Sequence, residues 1–120
     1  MKSLGKIYLV DDDEFIVAML SRSLEKEGYE IRSATGGSNL LEKITSWHPD
    51  VVLLDINLPG KSGMEILKEL KSNGANGGEV IMLTADDTAE TAVKAMKIGA
   101  CDYLTKPFNM DEVKIVIANC

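Results

Sequence analysis

Cysteine, proline, histidine and long apolar runs are all scarce in this chain, and each scarcity removes a class of protein. The two cysteines, Cys101 and Cys120, are too few for a disulfide framework and are not spaced as metal ligands. They are expected to be ordinary thiols, small and either buried or at the surface. No apolar run approaches the roughly 20 residues that span a bilayer. The opening stretch MKSLGKIYLV has neither an apolar signal core nor a small-residue cleavage site, and the expected location is the cytoplasm. Positive charge is also short: 13 Lys and Arg stand against 19 Asp and Glu, a formal net charge of −6. That balance argues against a nucleic-acid surface on this chain. There is no internal repeat and no low-complexity tract. What is left is one domain of 120 residues, 45% hydrophobic, enough for a single sizeable core.

Short apolar runs alternate with helix-period segments. KIYLV (6–10), YEIRSA (29–34), VVLLD (51–55), EVIML (79–83) and CDYLT (101–105) read as strands. Between them lie helical stretches over 14–27, stopped by Gly28, over about 36–46, over about 63–73 with Ser62 as cap, and over 87–99. A fifth helix starts near Asn109, with Asp111 and Glu112 in its first turn, where acids favour the helix dipole. NGANGG (73–78) is a predicted flexible loop. Five strands alternating with five helices imply βαβ units and a doubly wound parallel sheet, an α/β fold. The runs 51–54 and 80–83 are apolar throughout, as strands covered on both faces are.

Ligands of open parallel sheets bind outside the carboxyl ends of the strands. Those ends carry Asp11, Asp12 and Asp13, then Asp55, Thr84 and Lys106. Each has an ordinary reading by itself. The acids after the first strand suit a helix N-cap and first turn, Asp13 and Glu14 most of all, and Asp55 alone caps a helix as readily as it serves a site. Together they offer clustered hard oxygens, one hydroxyl and one ammonium, a donor set that suits Mg²⁺. Three carboxylates give about −3, and Mg²⁺ with Lys106 about +3, so such a site approaches neutrality. A carboxylate is also a nucleophile, and phosphoryl transfer asks mainly for positioning and cations.

The stretches YLVDDDEFI, PDVVLLDINLPGKSG, VIMLTA and GACDYLTKPF, in this order, resemble the receiver domain of two-component response regulators. The resemblance covers essentially all 120 positions, 1–120 as one domain. The last helix still looks under way at Cys120, so the natural protein is expected to continue. The resemblance implies a flavodoxin-like sheet of order 2-1-3-4-5. It makes Asp55 the phosphoacceptor for a kinase phosphohistidine, Asp12 a direct Mg²⁺ ligand and Asp11 one through water. The main-chain carbonyl of Asn57 completes the protein's ligands. Lys106 pairs with the phosphoryl group, and its bond to Pro107 is expected to be cis. Thr84 bonds a phosphoryl oxygen, and Tyr103 swings inward behind it, altering the face of helix 4, strand 5 and helix 5. The implied partners are a sensor histidine kinase or a histidine phosphotransfer protein, and a second copy through that face. The implied role is a switch that promotes only its own phosphorylation and dephosphorylation, controlling a transcriptional output domain. A stand-alone shuttle and a kinase-attached receiver are the alternatives.

FIVAML (15–20) is apolar on more faces than a core helix needs. Phe15, Ile16 and Met19, with Pro107 and Phe108, are candidates to dock the kinase or phosphotransfer helix; burial under neighbouring loops is the alternative. Asn57 and Asp86 are candidates to set the lifetime of the phosphorylated form. His48 reads as a surface helix end, Trp47 as satellite packing, and the six methionines as core filler. Two other classes fit less well. A haloacid-dehalogenase-type phosphatase would make Asp11 the nucleophile and leave Asp55 without a role. A flavodoxin-like electron carrier would need a Ser/Thr/Gly-rich phosphate loop where three aspartates stand.

Overall fold

A computed structural model describes residues 4–36, 39–72, 78–85 and 88–120. Five strands alternate with five helices: β1 (Gly5–Val10), α1 (Glu14–Glu27), β2 (Tyr29–Ala34), α2 (Leu40–Trp47), β3 (Val51–Asp55), α3 (Gly63–Ser72), β4 (Glu79–Thr84), α4 (Ala89–Ile98), β5 (Asp102–Thr105) and α5 (Met110–Asn119). The strands form one parallel sheet in the order β2-β1-β3-β4-β5, as the family resemblance implies. The loop read at 73–78 lies, except for Gly78, outside the described residues. So do Gly37 and Ser38 before α2, and Asp86.

Strand alternation divides the core in two. Ile7 and Leu9, Val51 and Leu53, and Ile81 and Leu83 point to one face, where Leu20 and Leu24 of α1 and Val113 and Ile117 of α5 cover them. Tyr8 and Val10, Val52 and Leu54, and Val80 and Met82 point to the other, beneath α2, α3 and α4. Every residue of β3 is buried, whereas the edge strand β2 is buried nowhere along its length. This is why the central runs are apolar throughout and YEIRSA is not. Burial of these central strands drives the folding of the sheet.

Local chemistry sets the helix ends. Asp13 caps α1 by accepting from the Phe15 and Ile16 N–H groups, and Gly28 ends it at φ 114°. The Ser62 hydroxyl accepts from the Met64 N–H at 3.1 Å, and the Asn109 side chain accepts from the Glu112 N–H at 2.8 Å. Each satisfies a donor that the first turn of a helix leaves open. His48 is exposed and ends α2, as expected.

Three sequence expectations need correction. Trp47 is no satellite: it is buried within the larger core cluster, edge-on to Tyr8, with the Lys6 ammonium and the Arg32 guanidinium over its ring. Its burial was hidden by its place at the end of a short helix. The methionines are not all core filler, since Met82 is fully buried while Met19 and Met96 are exposed. Finally, Cys101 and Cys120 are not separate thiols but a disulfide, their Cα atoms 6.1 Å apart. The start of β5 and the end of α5 return to the same end of the sheet, a proximity that the 19-residue separation conceals.

Gly63, the first residue of α3, donates its N–H to the Ile56 carbonyl at 2.8 Å. A Cβ built there would collide with the Asp55 carbonyl oxygen and the Ile56 backbone. Gly63→Ala is expected to destabilise the chain by about 1–3 kcal/mol, as overpacking against immovable backbone does. Urea denaturation of the two chains checks this.

Candidate functional site

The carboxyl edge of the sheet gathers the charged groups. Among the described residues, Asp11, Asp55 and Thr84 are the buried polar or charged side chains. Asp11 follows β1, and the other two end β3 and β4. Lys106 follows β5; its backbone N–H donates to the Thr84 carbonyl at 2.7 Å, which ties the end of β5 to that of β4. The Ile56 N–H donates to the Leu83 carbonyl at 3.0 Å and extends the pairing of β3 with β4 past Asp55.

The Lys106 ammonium lies 2.8 Å from Asp11 Oδ2 and 3.4 Å from Asp55 Oδ2. One cation thus bridges two buried carboxylates. The bond from Lys106 to Pro107 is cis. Asp55 Oδ1 accepts the N–H of Asn57 at 3.1 Å, and Asp11 Oδ1 accepts that of Asp13 at 2.9 Å. Asp11 Oδ2, despite the nearby ammonium, accepts no aligned hydrogen bond and keeps an open lone pair. Such an oxygen is costly unless a charge meets it.

Carboxylate oxygens of Asp11, Asp12 and Asp55 lie within 4.8 Å of one another, Asp12 being exposed and the other two buried. The donors are hard oxygens, and the open lone pair on Asp11 is a ligand in waiting. The residues present therefore fit a small divalent cation such as Mg²⁺.

The three acids of the DDD run do different work. Asp11 is a buried partner of Lys106, Asp12 faces the opening, and Asp13 caps α1. Thr84 sits at the same edge, while Tyr103 points outward from β5 into a groove of about 500 Å³ lined by Ala89, Ala92, Val93, Met96 and Lys97 of α4. Ile16, Met19, Lys106, Pro107 and Phe108 line a second surface cavity of about 380 Å³ beside the acids. Phe15 is 84% exposed and lines another with Met19. Asn57 is exposed. The tight approach of Gly63 to the backbone of Asp55 was missed in the sequence, where a glycine in place of a helix former at the start of a helix was the available signal.

Burial pushes the Asp55 carboxyl up from 3.8 to about 6; the Asn57 N–H opposes this, the Asp11 charge adds to it, the Lys106 charge opposes it, and Asp12 adds to it. Burial lowers the Lys106 value, but the adjoining Asp11 carboxylate and the charge of Asp55 outweigh it, so the net shift is upward. The ammonium therefore stays charged, and Asp55 is mainly the carboxylate above about pH 7.

A family model described as the response regulator receiver domain matches residues 7–118. The regulatory protein AtoC of Escherichia coli (strain K12) is 38% identical over 117 residues, covering 98% of this chain and 25% of that protein. The chain thus spans about a quarter of the length of this curated relative. The chemotaxis protein CheY4 of Vibrio cholerae superposes with a TM-score of 0.88 at 29% identity, over 97% of this chain and 98% of that one. A response regulator protein of Burkholderia pseudomallei, solved with a phosphorylated aspartic acid, calcium ion and citrate, superposes with a TM-score of 0.83 at 28% identity, over 92% of this chain and 65% of that one.

The raised Asp55 value has a definite sign. Its folded pKa of about 6 lies above the unfolded value of 3.8. Its contribution to stability is therefore fully present below about pH 3.8 and is lost as the pH rises through about 6. In metal-free buffer Asp55→Asn is expected to leave the urea midpoint little changed near pH 4 and to raise it above that of the unmodified chain near pH 7. Midpoints measured across that window check the sign.

Proposed function

The chain belongs to the family of response regulator receiver domains, and on that premise we propose that it is a phosphorylation switch whose phosphoacceptor is Asp55. Receiver domains are signalling switches that work with histidine kinases or phosphotransfer proteins. The observation that carries the reading is the Lys106 ammonium held between the buried carboxylates of Asp11 and Asp55, with Asp12 within reach of both acids. A phosphorylated aspartic acid in the receiver-like protein of B. pseudomallei supports it.

In this reading an Asp55 oxygen attacks the phosphorus of a phosphohistidine. The new O–P bond forms as the P–N bond breaks, and the electron pair leaves with the imidazole. Asp11 (through water), the Asp12 and Asp55 side chains and the Asn57 main-chain carbonyl would hold Mg²⁺. Bound there, Mg²⁺ supplies positive charge to the phosphoryl oxygens. Lys106 supplies the second charge: it is paired with Asp55 before transfer and positioned to pair with the phosphoryl group after it. Asp55, ionised near neutral pH, is nucleophilic without help from a separate base. The domain promotes its own phosphorylation and dephosphorylation and turns over no other substrate. Asn57, exposed at the rim, tunes the lifetime together with Asp86, which lies outside the described residues.

Phosphorylation adds roughly −2 charge and strong acceptors where one carboxylate stood. Thr84, buried at the same edge, is the hydroxyl drawn to it, and Tyr103 fills the space that Thr84 vacates. The outward Tyr103, set against α4, is the resting arrangement, and the face of α4, β5 and α5 reads out the change, also as a surface for a second copy. The cavity lined by Ile16, Met19, Pro107 and Phe108, with exposed Phe15 beside it, docks the kinase or phosphotransfer helix. The location is the cytoplasm, and among the described residues no helix is long and apolar enough to cross a membrane. The output is transcriptional, in keeping with likeness to a regulatory protein.

Labelling by a small phosphodonor should require Mg²⁺ and should disappear in Asp55→Asn, read by mass spectrometry. Persistent labelling of that variant would refute the assignment. Ile16→Arg and Met19→Arg should each slow transfer from the cognate kinase about tenfold or more, as hot-spot substitutions at an interface do. Labelling by the small donor should stay intact; equal loss of both activities would defeat the docking role.

A further inference from the structure

The disulfide between Cys101 and Cys120 has no part in the phosphoryl chemistry. It lies at the other end of the sheet, remote in the fold from the acids. Cys101 leads directly into β5, and its N–H donates to the Val80 carbonyl of β4 at 2.7 Å. Cys120 caps α5, its N–H donating to the Ile117 carbonyl at 3.2 Å. The bond therefore joins the end of the last helix to the start of the last strand. Those two elements carry much of the face assigned above to readout. Both sulfurs belong to half-buried residues, and Cys120 lines an open cavity of about 370 Å³ with Leu4, Lys6, Tyr29 and Asp50. A small thiol or disulfide can reach it there.

We infer that Cys101 and Cys120 form a reversible thiol–disulfide staple, closed by a low-molecular-weight disulfide, that fastens the last turn of α5 to the start of β5. Closure runs in two exchanges. The Cys120 thiolate attacks one sulfur of the small disulfide and expels one small thiolate. Cys101 then attacks the Cys120 sulfur of the mixed disulfide and expels the other. The two cysteines are oxidised, the small disulfide is reduced to two thiols, and the protons of the cysteines pass to the departing thiolates. The regulatory meaning of the staple rests on the cytoplasmic location proposed above, because glutathione there keeps thiols reduced and a closed bond then records an oxidant. The pairing itself is independent of that reading.

The test treats the fully reduced 120-residue chain with millimolar oxidised glutathione, then with excess reduced glutathione, following intact mass, free thiols and melting temperature. The expected product has lost two hydrogens and both free thiols, stays monomeric, melts about 10 °C higher than the reduced chain, and returns to it on reduction. Hydrogen exchange in the last turn of α5 should slow on closure. Cys101→Ser and Cys120→Ala should each end as a mixed disulfide with no such rise in melting temperature. A chain that keeps both thiols, ends doubly glutathionylated, links between molecules, closes without a gain in melting temperature, or stays closed in excess reduced glutathione overturns the inference. Asp55→Asn must staple like the unmodified chain, and the small-donor labelling test reads the phosphoacceptor separately, so failure of one proposal is distinguishable from failure of the other.

Discussion

The whole carboxyl edge depends on one ammonium serving two buried carboxylates. Lys106 reaches Asp11 more closely than Asp55, and without that cation the two acids would face one another in a nearly dry pocket. Leaving one partner of a buried pair uncompensated is far more costly than losing an exposed pair. The arrangement is still short of neutral, since three carboxylates meet one lysine; burial first, and the Asp11 charge after it, raise the Asp55 value. A site left deficient in positive charge attracts a cation and strengthens the hold of Lys106 on its proton. The parallel sheet supplies the placement, because β1, β3, β4 and β5 all end at one edge.

Most of the architecture was legible because it rests on period and punctuation. The runs 51–54 and 80–83 are uniformly apolar because both faces are covered, and Gly28, Ser62 and Asn109 mark helix ends by chemistry that acts within one turn. The site acids were legible only as a set, since each alone reads as a cap; Asp13, which does cap α1, shows how sound that ordinary reading is for a single residue. What stayed hidden depends on contacts between residues distant in sequence. Trp47 is buried because Tyr8, Lys6 and Arg32 come from strands beside it, and Cys101 meets Cys120 because a helix folds back along the sheet. Neither relation leaves a local pattern.

The surface of α1 divides similarly. Leu20 and Leu24 are buried, which accounts for one stripe, while Phe15 and Met19 stand in solvent. An excess of apolar side chains beyond what the core can hold was readable from FIVAML; the neighbouring Pro107 and Phe108, from the far end of the chain, were not placed beside it by any local signal.

The close approach at Gly63 has a mechanical side. No side chain cushions the start of α3 from the backbone of Asp55 and Ile56, so helix and strand tip touch backbone to backbone. Stress arising at the aspartate cannot be absorbed there by a rotamer change. The floor of the pocket behaves as a rigid anvil, and compliance is left to the side chains of Thr84, which ends β4, and Lys106, which follows β5.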